Sequence, residues 1–187
     1  GGAYENYVTP EMCVPEKPLR VPWESCLTLG ADFNYAYGDH YKSPRELVNL
    51  LVNIVAKGGN MALNVSPQPD GRIPVEAWES LRGLGAWMQT YGEAIYGTRI
   101  CAPYQSGNLA FTQKGDTVYA IRLYPEEGEA VEEKLLIPYQ GKIRGISMVD
   151  TKKEAEWKMT EEGIQVVIPQ EYREGETPIA IVWKIEQ

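Results

Sequence analysis

Apolar positions in the first half of the chain alternate between two periods. Residues 22–30 set Trp23, Ser25, Leu27 and Leu29 against Glu24, Cys26 and Thr28. That period of two predicts a short strand. Ser43-Pro44-Arg45-Glu46 follows as a helix start. Ser43 can cap, Pro44 suits the first helical position, and Glu46 completes a capping box. The helix runs to Lys57, with Gly58 as its C-terminal stop. Leu47, Leu50, Leu51, Ile54 and Val55 fall on one stripe at helical spacing, which reads as core. The run from Gly59 through Val65 is too short for a free helix and breaks into Ser66-Pro67-Gln68-Pro69-Asp70-Gly71, so it reads as a buried strand. Met61, Leu63 and Val65 take one face, and Asn60, Ala62 and Asn64 the other. Pro74 opens a second helix reaching Tyr91, with Trp78, Leu81, Leu84, Trp87 and Met88 on its buried side. Two consecutive βα units predict a parallel sheet with covering helices, open or closed into a barrel.

The pattern changes near Gly97. Short Val-, Ile- and Tyr-rich segments follow, separated by Gly, Pro and charged turns. The candidate strands cover 109–112, 117–123, 134–137, 143–148, 156–160, 163–168 and 179–186, the signature of an antiparallel β-sandwich. The acidic stretch 126–133 reads as a solvated hairpin loop. Trp157 and Trp183 read as core, with a sugar-stacking platform as the minor alternative. The expected division is therefore 1–97, a barrel portion, and 98–187, a sandwich.

Residues 1–22 read as irregular, because Pro10, Pro15, Pro18 and Pro22 oppose a continuous helix or a central strand. Tyr4, Tyr7, Glu5, Glu11 and Glu16 lie among them. A loop of this kind either packs over something or drapes across a site. The net charge of -8 argues against a nucleic-acid partner, and no apolar run reaches membrane-spanning length. Cys13, Cys26 and Cys101 form no CxxC pair, which argues against a zinc site or a disulfide framework and leaves one bridge open. His40, the sole histidine, stands in the polar run Gly38-Asp39-His40-Tyr41 and reads as an ordinary loop residue.

Two polar residues on the predicted strands have open roles. Asn64, at the C-terminal end of its strand, is either a structural tie for the next loop or a ligand contact at a barrel mouth. Glu24, at the start of its strand, is either exposed or a buried carboxylate held by hydrogen bonds.

Several blocks, taken in order, carry a resemblance. They are Tyr7-Val8-Thr9-Pro10-Glu11, Trp23-Glu24-Ser25-Cys26-Leu27-Thr28-Leu29-Gly30, Asn60-Met61-Ala62-Leu63-Asn64-Val65-Ser66-Pro67 with Asp70-Gly71, and Gly92-Glu93-Ala94-Ile95-Tyr96-Gly97. Together they resemble the C-terminal part of the catalytic domain of family 29 α-L-fucosidases. The β-rich remainder resembles that family's small C-terminal sandwich in position and character.

The resemblance implies terminal βα units of a (β/α)8-like barrel followed by a small antiparallel β-sandwich. It implies retaining hydrolysis of terminal α-L-fucosyl groups with neither metal nor organic cofactor. Retention needs two carboxyl groups about 5 Å apart. The family's nucleophile is an Asp on an upstream barrel strand, so the chain is expected to be a piece of a longer enzyme and inactive alone. For the acid/base the resemblance leaves Glu11, preferred in a loop overhanging the site, and Glu24, which could instead orient the site. Trp23 and Asn64 become substrate-side or supporting residues. Phe33-Asn34-Tyr35 stands where the family commonly has Trp-Gly-Tyr, which alters a loop near the sugar. The implied partners are a fucosylated glycan and the remainder of the catalytic domain, with no nucleic acid or membrane. The implied location is extracellular, periplasmic or lysosomal. A carbohydrate-binding or structural module without catalysis, or an inactive homologue, is the alternative.

Overall fold

The computed structural model describes residues 6–187. It begins with two parallel bridges that the prolines of the first segment do not prevent. Val8 pairs with Trp23 and Glu11 with Cys26, both parallel and at one constant offset. The Val8 amide donates to Pro22 O (3.1 Å), Glu24 N donates to Val8 O (3.0 Å), Cys26 N donates to Pro10 O (2.9 Å), and Met12 N donates to Cys26 O (2.9 Å). Segment 8–12 stays irregular, as its composition predicts, and is tied to Trp23 and Cys26 by two isolated bridges. Pro10 is tolerated because its carbonyl still accepts and only one donor is lost. Met12 ends the segment at φ 54°, a left-handed conformation that turns the chain away.

β1 (Glu24–Thr28) pairs in parallel with β2 (Asn60–Asn64), Glu24 opposite Asn60 and Thr28 opposite Asn64. Between them runs α1 (Pro44–Ala56), started by the full capping box at Ser43 and Glu46. The box satisfies two amides that the first turn leaves unpaired, worth about 1 kcal/mol. Trp23 and Leu27 pack on Ile54 of α1, with Val8, Leu50, Met61 and Leu63 around them. The buried stripe of α1 is wider than the apolar pattern predicts. Val48, Val52 and Ala56 are fully buried beside Leu47 and Ile54, while Leu51 and Val55 are only half-buried.

α2 (Val75–Tyr91) follows β2. It approaches α1 closely at Gly83, where a Cβ would come within 2.3 Å of the Pro44 ring. The buried side of α2 is the predicted one at Trp87, and Leu81 and Leu84 pack against Leu29, Leu47 and Ala77; Trp78 departs from it. Ala77, Ser80 and Trp87 are buried, whereas Trp78 is 44% exposed and lies under the Arg82 guanidinium. Small residues at 77, 80 and 83 bring the helix in close, and that rotates Trp78 outward.

The chain divides into two compact units, the first ending at Gln89 and the second running Thr90–Gln187, ahead of the boundary expected at Gly97. The second unit carries a five-stranded antiparallel sheet in the order β3 (Gln105–Ser106), β4 (Leu109–Lys114), β5 (Thr117–Leu123), β10 (Ala180–Glu186), β7 (Gly145–Met148). A three-stranded sheet runs β6 (Lys134–Ile137), β9 (Gly163–Val167), β8 (Trp157–Thr160). One turn of helix, α3 (Gln170–Arg173), precedes β10. Phe111, Ile146, Trp183 and Ile185 of the larger sheet meet Ile137, Ile164 and Val166 of the smaller in one core. The fold is thus terminal βα units followed by an antiparallel sandwich.

Polar anchors hold the edges of the sandwich. The acidic stretch is not simply solvated. Arg122 bonds Glu132 at 2.9 Å and Glu129 at 3.1 Å, and its guanidinium lies 4.5 Å from the Tyr124 ring centre. Asp150 accepts from Tyr91 (3.1 Å) and Tyr172 (2.6 Å). Burial and the adjacent Asp150 carboxylate push both phenols well above their ordinary range. The three cysteines are free thiols.

Candidate active site

The parallel ladder has two chemically opposite faces. Trp23, Ser25 and Leu27 turn toward the helix, and their partners Met61 and Leu63 do the same. Glu24, Cys26 and Thr28 share the other face with Asn60, Ala62 and Asn64, and Glu11 joins that face beside Cys26. In a parallel sheet whose helices cover one side, such a polar face is the barrel interior. β1, β2 and segment 8–12 run the same way, and the C-terminal ends of β1 and β2 lie along one edge. That edge is where barrel enzymes place their chemistry.

The two candidate carboxylates sit on neighbouring rows of this face, Glu24 on the first and Glu11 on the middle one, beside Cys26. Glu11 is the last residue before the turn at Met12 and is exposed. Glu24 is the first residue of β1 and is half-buried. Glu24 lies two residues before the Cys26–Glu11 row, about 7 Å toward the N-terminal end. Glu11 lies in the irregular segment before β1, held by an isolated bridge to Cys26.

Asn64 closes β2. Its side-chain amide donates to Phe33 O (3.1 Å) and to Ser66 Oγ (3.1 Å), while Ser66 Oγ donates to Phe33 O (2.7 Å). Asn64 therefore ties down the loop that follows β1. Trp23 is 1% exposed on the helix face, and its ring closes over Gly59, where a Cβ would come within 2.4 Å. Its indole N–H is buried without a partner. Packed there, Trp23 cannot reach a ligand on the polar face; it supports the ladder from behind.

Loop 29–43 is fixed at several points. Lys42 Nζ donates to Thr28 O (2.7 Å) and Gly30 O (3.3 Å). The Asp39 carboxylate accepts from Ala31 N (3.1 Å) and His40 N (2.8 Å). His40 itself stays exposed, as a loop residue. Two clefts of about 340 and 310 Å³ open between this loop, loop 65–74 and the start of α2. Both are lined by Asp39, Tyr41 and Glu76. Burial first, then Asp39, Tyr35 and Glu76, push the Tyr41 phenol above its ordinary range. The tyrosine-rich loop was visible in the sequence. Glu76 and Gln68 were not singled out, because only folding brings them to it. Among the described residues no group of three His, Cys, Asp or Glu side chains could hold a metal ion.

The alpha-L-fucosidase family model matches residues 1–93. The tissue alpha-L-fucosidase of Macaca fascicularis is 30% identical over 183 residues, 91% of this chain and 38% of that protein. The chain belongs to the α-L-fucosidase family. Alpha-L-fucosidase isoenzyme 1 from Paenibacillus thiaminolyticus superposes with a TM-score of 0.85 at 27% identity, over 97% of this chain and 45% of that one. The Thermotoga maritima alpha-fucosidase in complex with fucose superposes with a TM-score of 0.81 at 29% identity, over 99% of this chain and 43% of that one. The chain spans little more than a third of the length of the curated relatives it matches. No helix among the described residues is long and apolar enough to cross a membrane.

Proposed function

We propose that this chain forms the C-terminal end of the catalytic barrel and the following sandwich of a retaining α-L-fucosidase, and that Glu11 is its acid/base. The position of Glu11 carries the reading: it is on the polar face, beside Cys26 and just before the turn at Met12, and exposed. Glu24 stands one row nearer the N-terminal end, half-buried, and its role is to support the interior of the barrel. The nucleophile is an aspartate on a barrel strand outside this chain, about 5 Å across the bond from Glu11. Glu11 protonates the leaving oxygen while the aspartate takes the anomeric carbon. The resulting carboxylate then draws a proton from the water that frees fucose. The substrate is a fucosylated glycan, and the enzyme works outside the cytoplasm. The outer edges of segment 8–12 and β2 have no partner strand among the described residues. They are where the remaining barrel strands pair.

The alternative of a carbohydrate-binding module draws no support from the tryptophans of the second unit. Trp183 is fully buried, and Trp157 packs against the core.

Glu11→Gln in the complete enzyme tests the assignment. Hydrolysis of a fucosylated oligosaccharide should fall about 10²–10⁴-fold. An aryl α-L-fucoside with a good leaving group should lose far less, because it does not need the proton. Equal, small losses on both substrates would remove Glu11 from the role. The wild-type enzyme should turn over the aryl α-L-fucoside and leave aryl β-galactoside and α-glucoside untouched.

A further inference from the structure

The two clefts lie past the C-terminal ends of β1 and β2, the edge toward which the segment carrying Glu11 also runs. The larger and smaller clefts share a partition of Asp39, Tyr41 and Glu76, so they adjoin. Their volumes, about 340 and 310 Å³, are at the lower end of small-molecule sites. Tyr35 and Tyr37 line the smaller one, and Tyr37 is 96% exposed. A tyrosine ring so fully in water has no part in the core. At the lip of a cleft it offers an apolar face with a hydrogen-bonding tip.

The polar groups divide into two sets. Asp39 is committed to the backbone amides of Ala31 and His40 and so shapes the loop. The Gln68 amide and the Glu76 carboxylate line the smaller cleft, and neither side chain has a hydrogen-bond partner among the described residues. Neither cleft is lined by a lysine or arginine, so an anion finds no counter-charge. The acids do not group as metal donors. Free acceptors next to the exposed Tyr37 ring suit a neutral polyol that donates hydroxyls and presents a C–H face. The loop is held in advance by Asn64, Ser66 and Lys42, which lowers the ordering cost of binding.

We infer that this double cleft binds the saccharide leaving group of the fucoside, with Tyr37 as stacking platform and Glu76 as hydroxyl acceptor. The inference rests on the fucosidase reading of the barrel end. It makes the cleft the place where one fucosylated glycan is told from another.

The test uses the complete enzyme with Tyr37→Ala and, separately, Glu76→Gln. For each, kcat/KM is measured on 2'-fucosyllactose and on an aryl α-L-fucoside, which lacks the leaving sugar. The ratio of the two should fall roughly fivefold or more in Tyr37→Ala, carried by KM, and by a smaller factor in Glu76→Gln. A ratio that stays within about twofold of wild type in both variants overturns the inference. If wild-type enzyme turns over neither substrate, the fucosidase reading has failed rather than the cleft. In that case, or if only the aryl fucoside reacts, lactose is titrated against the protein by NMR. Lactose-dependent shifts that Tyr37→Ala abolishes support the cleft as a saccharide site. Their absence, or their survival in Tyr37→Ala, overturns it.

Discussion

The two units solve the problem of burying a sheet in opposite ways. In the second unit, two antiparallel sheets close on each other, and Phe111, Ile137, Ile164, Ile181, Trp183 and Ile185 are all wholly buried in one core. In the first unit the helix side of the ladder is packed in two smaller clusters, one around Trp23, Leu27 and Ile54 and one around Leu29, Leu47 and Ala77. Its other face presents Glu11 and Asn60 exposed and Glu24, Cys26 and Asn64 half-buried. A sheet covered on one side only cannot be a finished core. The difference teaches where to look for chemistry. The unit that closes its core has little left to bind with, and the unit that leaves a polar face open carries the candidate site.

The strongest way to break this contrast is to separate the units. Residues 90–187 alone should unfold in a single cooperative urea transition, because their core is complete. Residues 6–89 alone should show no cooperative transition and should self-associate through their open strand edges. Near-UV circular dichroism and light scattering check both. A cooperatively unfolding monomer of 6–89 would show that the polar face needs no cover.

Within the sandwich, Trp183→Ala should cost about 3–5 kcal/mol, read from the urea midpoint. Trp183→Phe should cost much less, since the buried indole N–H has no partner to lose. In the first unit, Ser43→Ala removes the capping box of α1 and should cost about 1 kcal/mol. A loss as large as that of Trp183→Ala would mean that α1 depends on its cap more than on its packing.

The smallest effect concerns acid. Burial opposes the charge on Glu93, but hydrogen bonding and attraction from Lys152, with Lys184 and the Tyr119 hydroxyl, outweigh it and hold the carboxyl below its ordinary range. A lowered folded pKa adds stability above the unfolded value of about 4.3 and loses it as pH falls through the folded value. Glu93 is 32% exposed, so the screened contribution is below about 1 kcal/mol. Glu93→Gln should therefore lower stability slightly at neutral pH and converge with wild type in acid, which flattens the decline. A denaturant midpoint measured from pH 7 downward reads this.

Much of this architecture was legible because it is local. The capping box at Ser43, the alternation along β1 and β2, and the strands 117–123 and 134–137 are written in neighbouring residues, and β5 and β6 occupy those same spans. The bridges of the first, irregular segment were not legible for a comparable reason. Four prolines in 22 residues signal a loop, and nothing nearby announces that Val8 and Glu11 would find a strand edge at Trp23 and Cys26. Trp78 was misplaced because its apolar side chain was counted without the small residues that set the helix rotation.

The sequence alone determined the element types, the two faces of each strand and the family resemblance, because periodicity, caps and turn residues act over a few positions. Only the tertiary structure placed Glu11 and Glu24 on neighbouring rows of one face, since a residue's row depends on pairing partners far away in the chain. It alone turned Trp23 to the helix, tied Asn64 to Phe33, and brought Tyr37 and Glu76 to one cleft. Those placements are set by packing between distant segments, and local propensity carries no information about it.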